Sequence, residues 1–117
     1  MADKVKFGDF AKLDLRVGLI KEVEEHPNAD KLFVLKVDFA EESGERTIVA
    51  GLRGHYSVDE LKGKKAIFVA NLEPAMLRGV ESNGMILAAS TEDKSSVKIL
   101  VPKVDVNVGE KVKFENG

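Results

Sequence analysis

Side chains that commonly perform chemistry are sparse in this chain. Its two histidines, His26 and His55, fall in unrelated loops, and neither stands at the spacing of a metal-binding pair. There is no cysteine, which removes thiolate zinc sites, disulfide frameworks and cysteine nucleophiles together. His26 and Asp30 are near enough in sequence to orient one another. Even so, His26-Pro27-Asn28-Ala29-Asp30 reads first as a turn, since proline presets its φ and Asn and Asp favour turn geometry. Gly51-Leu52-Arg53-Gly54 and Gly79-Val80-Glu81-Ser82-Asn83-Gly84 have the glycines of phosphate loops. Neither runs on into Gly-Lys-Ser/Thr, and neither fits the dinucleotide fingerprint. These groups indicate no enzyme, no metal and no cofactor; they point to binding.

The stretch from Asn71 to Gly84 is long for a connector, and long loops in compact domains are often functional. It carries a guanidinium (Arg78), amides (Asn71, Asn83) and a hydroxyl (Ser82). Arginine clamps phosphate bidentately, and amides and hydroxyls bond to sugar, phosphate or base edges. Leu72, Met76, Leu77 and Val80 are expected to plug the end of the fold, leaving Arg78, Ser82 and Asn83 pointing outward. The whole chain has a formal net charge of −2, against an indiscriminately nucleic-acid-binding surface. The charge is uneven, however. Residues 1–45 sum to −4, residues 46–82 to +2, and residues 83–117 balance. The exposed face of the second and third strands, with the loops beside it, is the expected nucleic-acid surface, and Lys31 and Lys36 would add to the cations on that face. Aromatic residues make up only 6%, with no tryptophan, so a base-stacking platform is poorly supplied. Recognition by shape and backbone suits the chain better. No apolar run approaches a membrane span, and Met1 to Asp9 lacks the apolar core of a signal peptide, so a soluble cytoplasmic protein is expected.

Strand signals dominate the elements that must position these groups. Leu15, Val17 and Leu19 alternate with polar residues or glycine, and the phase slips after Gly18 before Val23 restores it, which suggests a bulge. Phe33, Leu35, Val37 and Phe39 share one face of a second strand, and Glu41 to Glu45 forms the hairpin to a third, Arg46 to Ala50. Ser57 and Glu60 have capping-box spacing ahead of Leu61, with Gly63 to end the turn. Ala66 to Ala70 and Met85 to Ala89 read as strands four and five, with Asn71 to Gly84 an irregular loop between them. Two more apolar runs follow, Val97 to Val101 and Val112 to Phe114. Five strands with a short helix between the third and fourth match an all-β, five-stranded OB-fold Greek-key barrel. A β-sandwich usually wants seven strands or more. The expected organisation is one domain over residues 1–117, with its core in 10–89. The strands in 90–117 must pack on their own barrel or on a partner chain, which suggests a homodimer interface there.

Five segments carry a family resemblance: Asp14-Leu15-Arg16-Val17-Gly18, Asn28-Ala29-Asp30-Lys31-Leu32, Ile48-Val49-Ala50-Gly51-Leu52, Ala70-Asn71-Leu72 with Pro74, and Leu77-Arg78-Gly79-Val80-Glu81-Ser82-Asn83-Gly84-Met85. In this order, from about Phe10 to Ala89, they resemble the successive motifs of a tRNA-binding domain family. That family includes the C-terminal extension and β-subunit form of methionyl-tRNA synthetases, free-standing tRNA-binding proteins, and the endothelial-monocyte-activating polypeptide. The resemblance implies an OB-fold that binds tRNA by structure, without catalysis, as a homodimer that assists a methionyl-tRNA synthetase chain. Carried over by position, the tRNA-facing residues would be Asn28, Lys31, Arg53, Asn71, Arg78, Ser82 and Met85. The acidic balance departs from strongly basic members, which implies modest affinity unless a second copy or a fused synthetase adds contacts. Relatives of the fold also serve as peptide-binding chaperones or cytokine-like domains, and that is the alternative.

Overall fold

The structure is a computed structural model that describes residues 2–114. In chain order its elements are α1 (Phe7–Phe10), β1 (Leu15–Glu25), β2 (Phe33–Asp38), β3 (Arg46–Ala50), α2 (Val58–Leu61), β4 (Lys65–Val69), β5 (Ala75–Leu77), β6 (Val80–Ser82), β7 (Met85–Ile86), β8 (Ala88–Ser90), β9 (Val97–Ile99) and β10 (Lys111–Val112).

The antiparallel sheet runs β3-β2-β1-β4-β7 and curls into a nearly closed OB-like barrel. One long strand makes this curvature possible. The first half of β1 pairs with β4, from Leu15 opposite Val69 to Leu19 opposite Lys65. The second half pairs with β2, ending at Glu25 opposite Phe33. Between Ile20 and Glu22 the register with β2 shifts by one residue, so Lys21 is the bulge behind the phase slip in the sequence. Gly18 lies at the bend, and a Cβ there would come within 2.6 to 2.8 Å of Val37, Phe39 and Phe68. The Phe39 and Phe68 rings meet edge to face at 5.3 Å across the space that its missing side chain leaves. Ile20, Leu35, Ile48, Leu52, Leu61 and Phe68 fill the interior. The capping box of α2 forms as its sequence requires. Ser57 Oγ accepts from the Glu60 N–H at 3.2 Å, and Glu60 Oε1 accepts from the Ser57 N–H at 2.8 Å.

The segment between the fourth and fifth strands is ordered, against expectation. β5 and β6 form a hairpin around Arg78-Gly79, with Leu77 opposite Val80. Both turn residues have positive φ, 54° and 92°, which is the two-residue geometry that matches strand twist. Arginine is an uncommon first residue for such a turn, which is why the pattern reads as irregular from sequence. The expected strand Met85 to Ala89 also divides. Met85–Ile86 continues the barrel beside β4, and Ala88–Ser90 turns away to pair with β9.

Both C-terminal runs find partners within the chain. Ile67 N–H donates to Leu100 O and Leu100 N–H to Leu87 O. Gly109 and Glu110 exchange main-chain bonds with Val17, and β10 lies beside the start of β1, Val112 opposite Leu15. Strands in need of a neighbour therefore give no separate argument for a dimer. What stays exposed is an aromatic cluster, since Phe114 packs edge to face on Phe7 at 4.7 Å and each ring is still about half accessible.

Candidate nucleic-acid interface

Three connections converge at the loop end of the barrel. Residues 26–32 link β1 to β2, residues 51–56 follow β3, and the β5–β6 hairpin leans over both. His26 is buried among them. Its Nδ1 accepts the Asn28 N–H at 3.0 Å, so Nε2 carries the ring proton and donates to Leu77 O at 3.0 Å. The His26 N–H donates to Leu32 O at 3.1 Å and closes the loop. His26 and Asp30 are not partnered with each other. Arg53 straps the second connection to the first, through an ion pair with Glu25 at 2.9 Å and a weak bond to Ala29 O at 3.4 Å.

Beside these straps lies an open concavity of about 1060 Å³. Lys31, Arg53, His55 and Lys94 line it together with Asp30 and Asp93, and Leu77, Met85 and Ile86 give it an apolar floor. Asp93 accepts the Ser95 N–H and the Thr91 and Ser95 hydroxyls, which hold its carboxyl down to about 2. His55 and Lys94 were not among the expected site residues. Lys94 arrives from the turn between β8 and β9, far along the chain from the other cations.

Of the residues the family motifs single out, Lys31, Arg53 and Met85 share this concavity. Asn28 lies against the hairpin turn, where a Cβ on Gly79 would stand 4.0 Å from its Nδ2. Arg78 is exposed at the tip and forms no ion pair among the described residues. Asn71 is tied elsewhere: its Oδ1 accepts the Asp14 N–H at 2.8 Å and its Nδ2 donates to Lys12 O at 2.6 Å. Those bonds staple the segment before β1 to the end of β4.

Ser82 corrects the expectation that it points outward. It is buried, its Oγ accepts the Val49 N–H at 2.9 Å, and its hydroxyl donates to Gly84 O at 3.1 Å. The Asn83 N–H donates to Thr47 O at 2.8 Å next to it. Ser82 and Asn83 thus form the seam that joins β3 to the hairpin base. The hydroxyl supplies the acceptor that a regular strand neighbour would have given.

The exposed face of β2 and β3 corrects a second expectation. Lys36 donates to Thr47 Oγ1 at 2.6 Å, and Arg46 is held bidentately by Glu41 at 2.7 and 2.8 Å. Arg46 also donates to Ala70 O and lies 5.1 Å over the Phe39 ring. The Arg46 hydrogen bond keeps the Glu41 carboxyl below its ordinary range, and Glu41 raises Arg46 in turn. Glu24, Glu45 and Glu81 line the same groove, so this face is acidic. The cations available for a polyanion are at the loop end instead. Among the described residues no group of acidic or histidine side chains is placed to hold a metal, and no helix is long and apolar enough to cross a membrane.

A small antiparallel barrel with a cation-bearing concavity at its loop end is the architecture of an OB-type oligonucleotide-binding domain. Comparison with known proteins narrows this further. Residues 15–111 match the profile of the family described as "Putative tRNA binding domain", and the chain belongs to that family. It is 58% identical to a methionine–tRNA ligase of Pyrococcus horikoshii over 109 residues, which cover 93% of this chain and 14% of the ligase. It is 45% identical to the methionine–tRNA ligase of Porphyromonas gingivalis over 113 residues, 97% of this chain and 16% of that protein. The chain therefore spans only about a seventh of the length of these relatives. Among solved structures, a MetRS related protein from Pyrococcus horikoshii superposes with a TM-score of 0.85 at 40% identity, covering 96% of this chain and all of that one. The CsaA chaperone protein from Picrophilus torridus superposes at 0.84 and 35% identity, covering 94% of this chain and all of that one.

Proposed function

We propose that this chain is a non-catalytic module that holds folded tRNA by its backbone and shape, acts as a homodimer, and serves a methionyl-tRNA synthetase in the cytoplasm. The observation that carries the reading is Arg78. A tight turn presents its guanidinium, free of ion pairs among the described residues, beside the loop that bears Asn28 and Lys31. An exposed, unpaired guanidinium on a tight turn suits phosphate. Asn28, Lys31, Arg53, Arg78 and Met85 form the proposed contact surface, while Ser82 and Asn71 hold the elements that carry it. The high identity to methionine–tRNA ligases supports the synthetase assignment. The exposed Phe7, Phe10 and Phe114 rings offer an apolar face for a second copy.

Gel retardation with total tRNA at two salt concentrations tests the reading. Affinity should fall steeply as salt rises, because phosphate contacts release counterions. Arg78→Ala should weaken binding by about 1–3 kcal/mol, roughly 5- to 150-fold. Equal binding of tRNA and an unstructured RNA, or a flat salt response, would count against it. Sedimentation at a single protomer mass of 12.8 kDa at micromolar concentration would remove the homodimer.

Two observations favour a second reading, that of a peptide-binding chaperone. The similarity to the CsaA chaperone covers that whole chain, and Leu77, Met85 and Ile86 give the concavity an apolar floor. Suppression of aggregation of an unfolded protein, with no retardation of tRNA, would select it.

A further inference from the structure

We infer that His26 is a positioning residue for the RNA-binding end, clasping the β5–β6 hairpin so that Arg78 is held beside Asn28 and Lys31. The inference rests on the RNA-binding reading above and assigns a role to a group outside the proposed contact surface.

The hairpin needs such a clasp. β5 and β6 form a two-stranded sheet of their own, outside the barrel ladder, with three residues in each strand. Isolated two-stranded ribbons of that length are marginal in water. At its base the hairpin is held by the Ser82 and Asn83 bonds to Val49 and Thr47. At its tip, among the described residues, the side-chain bond to the barrel is the one from His26 Nε2 to Leu77 O, and Leu77 directly precedes Arg78. Arg78 sits at φ 54°, a conformation that costs a non-glycine residue energy and persists only where its surroundings over-determine it. Without the tip bond, the hairpin would pivot on its base and the backbone that carries Arg78 would lose its fixed place.

The imidazole suits this role because its two nitrogens act in opposite senses on two different segments. Nδ1, as an acceptor, fixes the Asn28 turn; Nε2–H, as a donor, fixes the hairpin. The ring itself is buried, so both nitrogens depend on these partners rather than on bulk water. One side chain therefore sets the separation between the segment bearing Asn28 and Lys31 and the segment bearing Arg78.

The two halves separate by substitution. In His26→Asn the Oδ1 atom can replace Nδ1, but nothing reaches Leu77. In His26→Gln the amide NH2 can replace Nε2–H and keep the hairpin bond. With the full chain and total tRNA, His26→Asn should weaken binding roughly 3- to 10-fold, the usual range for one lost hydrogen bond. His26→Gln should stay within about twofold of the parent. Added to Arg78→Ala, His26→Asn should cause little further loss, since the clasp acts through Arg78. Losses that multiply in the double variant, or equal losses from Asn and Gln, would overturn the inference.

Two measurements need no RNA. Ring 15N shifts should report the Nε2–H tautomer, and amide exchange of residues 78–82 should quicken in His26→Asn but not in His26→Gln. An Nδ1–H tautomer, or unchanged exchange in His26→Asn, refutes the clasp whatever the protein binds. If the parent chain fails to retard tRNA while the exchange pattern holds, the function assignment falls and the clasp stands.

Discussion

Replacing Ser82 by alanine separates a contact residue from a structural one. Ser82 Oγ is the acceptor for the Val49 N–H at 2.9 Å and the donor to Gly84 O at 3.1 Å, inside the seam that closes the barrel. Alanine leaves both main-chain groups buried without these partners. A buried donor that loses its acceptor costs about 1–3 kcal/mol, and the lost bond to the carbonyl falls within the same range. Taking the lower end of both ranges, a total of about 2 kcal/mol corresponds to a Tm lowered by roughly 6–12 °C for a domain of this size. Val49 and Ser82 are both shielded from solvent, so water cannot readily replace the hydroxyl. Thermal unfolding followed by circular dichroism gives the Tm, and tRNA titration well below it gives the affinity of the folded variant. The expected result is a large Tm loss with tRNA affinity within about twofold of the parent. An unchanged Tm together with a loss of affinity greater than about fivefold would refute the reasoning, because it would make Ser82 an outward RNA contact.

The remaining predictions concern the barrel and its charges. Gly18→Ala forces a methyl to within 2.6 to 2.8 Å of Val37, Phe39 and Phe68 in the core, so chemical denaturation should show a loss of about 1–3 kcal/mol. Gly8→Ala is its control: a Cβ there meets nothing within 4 Å, and stability should stay level or rise slightly. Glu41 has a folded-state carboxyl held below its ordinary value near 4.5 by Arg46, so its contribution is complete above that pH and is lost as pH falls through the lowered value. The stability difference between the parent and Glu41→Gln should accordingly be constant above about pH 5 and shrink on acidification, as urea midpoints across that range would show. A difference that grew toward low pH would reverse the sign of the argument.

Periodicity carried much of the barrel. The alternation in Phe33 to Phe39, the slip after Gly18 and the Ser57/Glu60 pair each depend on neighbours a few residues away, and each forms in the structure as the sequence implies. Arg78-Gly79 was less legible because its turn depends on φ values that arginine seldom adopts. The split of Met85 to Ser90 between two sheets depends on β9, whose residues lie well downstream.

From the sequence alone came the all-β class, through residue type and short-range spacing, and the family motifs, whose resemblance supplied the candidates from Asn28 to Met85. Long-range pairing decided the remainder. Whether a side chain faces solvent or a seam depends on which distant backbone group it meets, as Val49 meets Ser82 and Leu77 meets His26. Net charge by segment likewise could not say where the cations stand. Glutamates brought in from three separate stretches cover the β2–β3 face, and only folding assembles the loop end where Lys31, Arg53 and Lys94 come together.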